Sequence, residues 1–158
     1  MIINETLYQQ IVRVMPIPCV DLVVVNNYGQ VLLAKRRNEP AKNEWWFPGG
    51  RVYYLESRLD AAKRKLREEC GLETNQMVEL GTFDVILENL SNHGRSHAIT
   101  TLFFAGVVRN ERVVLDYQNS GAEWRLPQEW RKSDLPSFVQ QGLEVYNKFS
   151  DCRRSKFL

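Results

Sequence analysis

The order of predicted elements indicates an α/β or α+β fold in which helices cover a mixed β-sheet. Three observations support this prediction. Short runs rich in β-branched residues recur along the chain, one strongly helical stretch divides them, and a second amphipathic helix follows the last strand. The 158 residues suit a single domain, residues 1–158, because no linker, repeat or low-complexity run interrupts them.

The first half of the chain predicts a short helix followed by several strands. Asn4 can cap this helix, and Pro16 ends it. Residues 17–25 and 30–35 are apolar and β-branched, and the polar, glycine-containing turn between them predicts two neighbouring strands. After a polar loop, residues 45–47 form a short aromatic strand that stops at a proline and two glycines.

The second half begins with the clearest helix, which Ser57 opens and Gly71 ends. Three more strands and a closing helix are predicted at residues 77–88, 98–108, 122–126 and 136–149. We expect residues 89–97 to form a polar loop between the first two of these strands. Residues 153–156 have the composition of a frayed tail.

Composition and charge exclude several classes of function. The net charge of +2 is too small to imply a nucleic-acid partner. Cys19, Cys70 and Cys152 are scattered and odd in number, so they predict neither a disulfide framework nor a zinc site, and they favour a reducing cytoplasm. No stretch resembles a signal peptide or is long enough to span a bilayer. We therefore expect neither nucleic acid nor a membrane as a partner.

The helix predicted within residues 50–72 concentrates charged residues on one face. Residues three and four apart share a helix face, which predicts one stripe made of Arg64, Lys65, Glu68 and Glu69. The opposite, apolar stripe would contain Leu59, Ala62 and Leu66. Adjacent carboxylates, with Glu56 shortly before them, offer hard oxygen ligands for Mg²⁺ or Mn²⁺. A pair such as Glu68-Glu69 alone is more often a solvated helix face.

The spacing across this segment is more specific than the carboxylate pair. The segment follows the Nudix box, G-x5-E-x7-R-E-U-x-E-E-x-G-U, where U is aliphatic. The matching residues are Gly50, Glu56, Arg64, Leu66, Glu68, Glu69, Gly71 and Leu72. The segment also has the loop-helix-loop context that the box requires. The chain thus resembles the Nudix hydrolase family. This resemblance implies an α/β/α sandwich with a central mixed β-sheet, a Nudix helix and a C-terminal helix. It also implies metal-dependent hydrolysis of a nucleoside diphosphate linked to another group.

One residue departs from the box. Lys65 stands where the box has its first Glu after the Arg. A protonated lysine cannot ligate a metal cation, and we expect Lys65 to pair with Glu69 one helical turn on. This departure puts the ordinary attack of water on phosphorus in doubt, unless another residue supplies the base.

Further segments resemble a subgroup, the GDP-mannose mannosyl hydrolases. They are residues 18–25, 35–41 and 49–52, together with Gln118 ahead of Glu123-Trp124. The similarity spans roughly residues 4–130 and is specific in the first 72. It implies cleavage at the anomeric carbon of the sugar, with release of GDP. It also implies a homodimer, since dimers are common in this subgroup.

The same resemblance implies roles for individual residues. The metal, Mg²⁺ or Mn²⁺, would be held by the Gly50 region, Glu69 and Gln118, with Glu68 as a further candidate. Substrate would be bound by Arg36, Arg37, Arg51 and Asp21. Catalysis would depend on Arg51, Glu69 and Arg36, because the arginines can stabilise charge on the leaving diphosphate.

A second departure leaves the general base open. The subgroup has a His after the Gln, and here the residue is Asn119, which cannot take up a proton at neutral pH. The other candidates are His93, His97, Glu88 and Glu123. Two alternatives to the sugar hydrolase therefore remain: an ordinary pyrophosphohydrolase that cleaves between the phosphates, and a catalytically inactive domain that only binds nucleotide or a protein partner.

Overall fold

The computed structural model describes residues 3–89, 94–106 and 112–156. Helices and strands follow one another in this order: α1 Glu5–Ile11, β1 Ile17–Val24, β2 Val31–Arg36, β3 Trp45–Trp46, β4 Gly49–Arg51, α2 Arg58–Cys70, β5 Met77–Asn89, β6 Gly94–Ala105, β7 Asn119–Arg125, α3 Pro127–Trp130 and α4 Ser137–Ser155. No helix among the described residues is long and apolar enough to cross a membrane.

The strands form two sheets. The first is mixed and has the order β4-β1-β6-β5, with β1 parallel to β6 and antiparallel to β4. The second is antiparallel and has the order β3-β2-β7. The predicted mixed sheet is thus confirmed, and a smaller antiparallel sheet accompanies it. An isolated bridge between Val25 and Val31 lies between the two sheets.

The core has two parts, and each is covered by a helix. Val20, Leu22 and Val24 of β1 belong to the cluster under α2, whereas Val23 belongs to the cluster under α4. This alternation follows from the period of two along a strand, which turns successive side chains to opposite faces. Helices therefore cover both faces of the sheet layer, as the fold class predicted.

Helix α2 begins and ends where the sequence predicts. The Ser57 hydroxyl accepts a hydrogen bond from the Asp60 amide at 3.1 Å, and Gly71 caps the C-terminus with a left-handed backbone, φ 66°. The predicted apolar stripe is wrong at Leu59, which is 41% exposed. The charged stripe is not simply solvated, because Lys65 and Glu69 are only 6% and 5% exposed.

Two predicted irregular segments are regular in the structure. Strand β6 begins at Gly94, so the loop predicted at residues 89–97 is wrong over residues 94–97, which pair with β5. Residues 90–93, including the candidate base His93, lie outside the described residues. Helix α4 continues to Ser155, because the Arg153 guanidinium packs over the rings of Phe104 and Phe149 at 5.7 and 5.5 Å. The frayed tail was therefore a wrong prediction for residues 153–155.

Candidate active site

Most of the predicted site residues lie around one cavity of about 410 Å³. The predicted residues that line it are Asp21, Arg36, Gly50, Arg51 and Gln118. Lys65 and Arg64 of α2 line it as well. The cavity lies where β1, β4 and α2 meet, beside α1 and the loop after β2. The tertiary structure thus brings together residues that are almost a hundred positions apart.

The pairing of β1 with β4 builds one wall of the cavity. Asp21 lies opposite Gly49, Val20 opposite Gly50, and Cys19 opposite Arg51. A β-carbon at Gly49 would lie 2.6 Å from Oδ1 of Asp21 and 2.3 Å from the Val20 carbonyl oxygen, so only glycine fits there. The strands can therefore approach closely enough to place Asp21 against Gly49 and Gly50, which we call the glycine loop.

Asp21 is a buried carboxyl held by two donors from other strands. The Thr100 hydroxyl donates to Oδ2 at 2.6 Å, and the Trp46 indole N–H donates to Oδ1 at 3.1 Å. Burial raises the pKa of Asp21 to about 6, although Thr100, Arg36 and Trp46 oppose that rise. A fixed carboxyl with this pKa can accept or donate a proton near neutral pH.

Arg36 and Arg51 bring positive charge to the cavity. The Arg51 guanidinium lies over the Tyr8 ring, 4.2 Å from its centroid. Arg36 donates from Nε to the Pro40 carbonyl at 2.8 Å and lies over Trp46. Among the described residues, no carboxylate forms an ion pair with either arginine. Two guanidinium groups outside any such ion pair are suited to an anionic ligand such as a diphosphate.

Arg64 fastens helix α2 to the loop before it. Its guanidinium makes two hydrogen bonds to Glu56, at 2.6 and 2.9 Å, and one to Glu68 at 3.0 Å. It also donates to the Arg51 carbonyl at 2.9 Å and lies over the Tyr53 ring. The hydrogen bonds from Arg64 lower the pKa of Glu56. Arg64 thus pairs with a carboxylate in the preceding loop, Glu56, and with one a helical turn on, Glu68.

The predicted pair between Lys65 and Glu69 is also confirmed. Nζ of Lys65 lies 2.5 Å from Oε1 of Glu69 and 3.6 Å from Oε2 of Glu68. Burial opposes the charge on Lys65, but the facing carboxylates outweigh it and raise the pKa of the ammonium. The lysine is therefore charged at neutral pH.

This ammonium lies among the residues predicted to hold a metal. A β-carbon at Gly50 would lie 3.2 Å from Nζ of Lys65 and 2.8 Å from its Cε, so the lysine passes directly over the Gly50 backbone. Over residues 3–89, 94–106 and 112–156, no three His, Cys, Asp or Glu side chains converge in a way that could hold a metal ion. The arrangement of Gly50, Glu68 and Glu69 around Lys65 does not fit a divalent cation, since a cation of the chain already lies there.

Other predicted residues lie outside the cavity. Arg37 is exposed beside a neighbouring pocket, and its backbone amide donates to the Gln118 carbonyl at 2.9 Å. Arg37 therefore does not line the cavity with Arg36 and Arg51, although the residues that follow it in the loop after β2 do. Of the metal candidates, Glu68 faces solvent on α2, with its side chain 45% exposed.

The candidate bases are likewise dispersed. Asn119 is buried and donates from its amide to Asp116 at 3.1 Å. Glu88 and Glu123 are exposed and do not line the cavity. His97 lines the rim, where its ring lies 3.3 Å from Asp84. Strand alternation turns its side chain to the face opposite Thr100, the residue that donates to Asp21.

Sequence reasoning missed three residues of the site. Tyr8 supports Arg51 from α1, and Thr100 and Trp46 hold Asp21. An aromatic residue in a helix or strand usually fills a core, and a threonine is common in any strand, so no sequence pattern marks these side chains as parts of a site. Contacts made from α1, β3 and β6, and not a motif, bring these three side chains to the site.

The comparison with family models decides the family. The model described as NUDIX domain matches residues 15–146. The chain belongs to the Nudix family. Hence α2 is the Nudix helix, and the segment from Gly50 to Leu72 is a Nudix box with Lys65 at its divergent position. Nudix hydrolases generally use divalent metals such as Mg²⁺ or Mn²⁺.

The chain is also similar to individual proteins of known sequence or structure. The chain is 35% identical over 115 residues to the low-salt glycan biosynthesis protein Agl8 of Haloferax volcanii, and the matched region covers 72% of each protein. It is 44% identical over 64 residues to an RNA pyrophosphohydrolase of Halorhodospira halophila, and the matched region covers 40% of this chain and 34% of that protein. The MutT protein from Methanosarcina mazei Go1 shares the fold, with a TM-score of 0.74, 23% identity, and coverage of 87% of this chain and 97% of that one.

Proposed function

We propose that this Nudix hydrolase cleaves a nucleoside diphosphate sugar, of the GDP-mannose type, into nucleoside diphosphate and free sugar. The observation that carries the proposal is that Arg36 and Arg51 line one cavity with Asp21, and that neither arginine forms an ion pair within the part of the chain that the structure describes. Guanidinium groups bind phosphate oxygens in pairs and remain charged at any physiological pH. Two of them match the two phosphates of such a substrate.

The sugar is supported by a relative rather than by geometry. The protein of Haloferax volcanii that shares 35% identity is named for glycan biosynthesis. Glycans are built from activated sugars, so a sugar is a reasonable group on the far side of the diphosphate. Asp21 lies in the same cavity and would accept hydrogen bonds from hydroxyl groups of that sugar.

The proposed reaction breaks a carbon–oxygen bond. Water forms a new bond to the anomeric carbon, the bond from that carbon to the diphosphate oxygen breaks with its electron pair leaving on the diphosphate, and the proton of the attacking water passes to the solvent. Negative charge grows on the departing oxygen, and Arg51 and Arg36 are the groups placed to stabilise it. Contacts that strengthen at this point are the ones that raise the rate.

The metal ligands remain a prediction. The resemblance implied Mg²⁺ or Mn²⁺ at Gly50, Glu69 and Gln118, with Glu68 nearby, but Lys65 lies among these groups. We therefore assign no step of the reaction to a metal. Three free thiols suit the proposed cytoplasmic location. The expected homodimer also remains a prediction, which light scattering of the purified protein would contradict by giving a monomeric mass.

An ordinary pyrophosphohydrolase is the second candidate. Glu56, Glu68 and Glu69 of the Nudix box are all present, and the RNA pyrophosphohydrolase relative matches locally at 44% identity. An inactive nucleotide-binding domain is the third, because Lys65 and Asn119 replace residues expected to act in catalysis. These candidates differ in the bond that breaks, or in whether any bond breaks.

Product analysis in ¹⁸O-labelled water separates the three. A panel of nucleotide sugars and nucleoside triphosphates is incubated with the chain in Mg²⁺, in Mn²⁺ and in EDTA, and the products are analysed by mass spectrometry. Label in the free sugar, with unlabelled nucleoside diphosphate, is the expected result. Label in a monophosphate would replace the proposal by the second candidate, and nucleotide binding without turnover would replace it by the third.

A further inference from the structure

We propose that the Lys65 ammonium is the resident cation of this site. It lies between Glu69 and the Gly50 backbone, so the chain binds Mg²⁺ or Mn²⁺ weakly at this point. The ammonium instead offers its charge to the diphosphate. The part of this inference that concerns the diphosphate rests on the proposed function, whereas the part that concerns the divalent cation does not.

The position of the ammonium is fixed by contacts on several sides. The 2.5 Å separation from Glu69 spans one helical turn, and both side chains are less than a tenth exposed. Glu68 lies 3.6 Å away on the solvent side. The lysine carbon chain lies over Gly50, where a β-carbon would come within 2.8 Å of it. The charge is therefore held at the glycine loop and does not swing freely in solvent.

The carboxylates of the box are already engaged by groups of the chain. Oε1 of Glu69 faces Lys65, and Oε2 accepts a hydrogen bond from the Gly49 amide at 3.2 Å. Both oxygens of Glu56 bind Arg64. A divalent ion would have to displace these partners and also approach an ammonium of like charge. Within a few ångströms and away from bulk water, such repulsion outweighs the attraction of one shared carboxylate.

The ammonium also has a free direction toward substrate. Lys65 lines the same cavity as Arg36 and Arg51. An ammonium has three N–H donors, and Glu69 needs only one of them. A lysine binds phosphate as a point charge, as it does in other nucleotide sites. Lys65 therefore supplies one positive charge at the place where a metal ion would otherwise meet the phosphates.

Titration with Mn²⁺ alone, followed by electron paramagnetic resonance, tests the first part. The proteins are the wild type, Lys65→Glu, and Lys63→Glu as a control that makes the same change of charge at an exposed position of α2. We expect millimolar or weaker binding by the wild type, and a gain of at least about tenfold for Lys65→Glu but under about threefold for Lys63→Glu. Micromolar binding by the wild type overturns the proposal whether or not Lys65→Glu folds. Equal gains in the two variants overturn it as well.

Calorimetric titration with GDP, in EDTA and in Mg²⁺, tests the second part. For the wild type, we expect the affinity for GDP in EDTA to be within about threefold of that in Mg²⁺. For Lys65→Gln in EDTA, we expect the affinity for GDP to fall by about tenfold relative to the wild type, which is the effect of losing one charged contact. A strict requirement of the wild type for Mg²⁺ overturns the proposal. If GDP binds to no protein under either condition, the proposed function fails, while the Mn²⁺ titration still decides the position of the cation.

Discussion

Single residues of the cavity have environments that differ from those of surface residues of the same type. Arg51 lies against an aromatic ring and has no carboxylate partner among the described residues, whereas Arg58 on the surface pairs with Glu79 at 3.2 Å. Asp21 is buried and receives two hydrogen bonds, whereas Glu123 pairs with Arg125 in solvent. These differences lead to two predictions for individual side chains.

Arg51→Gln should lower kcat more than it raises KM, by about 10²-fold, as expected when one preorganised charge donor is lost. The physical reason is that the diphosphate carries more negative charge in the transition state than in the bound substrate. Steady-state kinetics with a nucleotide sugar measure both constants. Arg58→Gln is the matched control and should keep both near the wild-type values. A normal kcat for Arg51→Gln would remove this residue from the mechanism.

Asp21→Asn should change how stability depends on pH. Burial raises the pKa of Asp21 from its ordinary value of 3.8 to about 6, so the folded protein binds this proton more tightly than the unfolded chain. The contribution of Asp21 to stability is therefore full below pH 4 and is lost as pH rises through 6. By linkage, the free energy of unfolding of the wild type should fall, relative to that of Asp21→Asn, by on the order of 3 kcal/mol at most as pH rises over this range. Urea denaturation of both proteins at several pH values measures their free energies of unfolding, and a wild type that becomes more stable relative to Asp21→Asn as pH rises would contradict the prediction.

At the scale of elements, the Nudix helix is fastened at its middle and its last turn to the glycine loop and the residues that follow it. Arg64 joins it to Glu56 and to the Arg51 carbonyl, and Glu69 joins it to the Gly49 amide. These contacts link the middle and the last turn of α2 to β4, the strand that carries Arg51. The position of Arg51, a catalytic candidate, thus depends on Arg64, which does not need to touch substrate.

Arg64→Lys should destabilise the fold by about 1–3 kcal/mol, because a lysine cannot replace several hydrogen bonds of a planar guanidinium. Arg64 has a side chain that is only 18% exposed. Calorimetry measures the shift of Tm. The control is Arg67→Lys on the same helix, where the side chain is 64% exposed and little effect is expected. Equal shifts for the two variants would mean that the Arg64 contacts add no stability.

At the scale of the whole molecule, the C-terminal helix closes the core on the side away from α2. Phe47 lies just before the glycine loop, and its ring packs against Phe138 of α4 with centroids 6.0 Å apart. Gly142 of α4 is buried beside the same ring. Packing of the two layers therefore reaches the strand segment that leads into the active-site cavity.

Gly142→Ala should destabilise the protein by about 1–3 kcal/mol through overpacking. The added carbon would lie 2.5 Å from Cε2 of Phe47, and this clash outweighs the gain of up to about 1 kcal/mol that alanine brings to a helix. Guanidinium chloride denaturation measures the effect. Gln141→Ala, at the exposed neighbouring position, serves as the control and should stay within about 0.5 kcal/mol of the wild type. A stabilised Gly142→Ala would show that the layers can separate at no cost.

The sequence alone predicted the features that depend on short separations along the chain. The Nudix box, the limits of α2 and the pairing of Lys65 with Glu69 all follow from caps and from spacings of three or four residues. Strand limits were predicted less well near Gly94, because a polar strand in a hairpin has no apolar alternation to mark it.

Only the tertiary structure decided which of these residues meet. Asp21 receives hydrogen bonds from Trp46 and Thr100, which are 25 and 79 positions away. The Arg51 guanidinium lies over the ring of Tyr8, which is on α1 and far from Arg51 along the chain. The sequence predicted that Lys65 would pair with Glu69, but the burial of that pair over Gly50 depends on how α2 packs against β4. Contacts between residues close in sequence follow from their spacing along the chain, whereas burial and contacts between distant residues arise from the packing of helices against sheets.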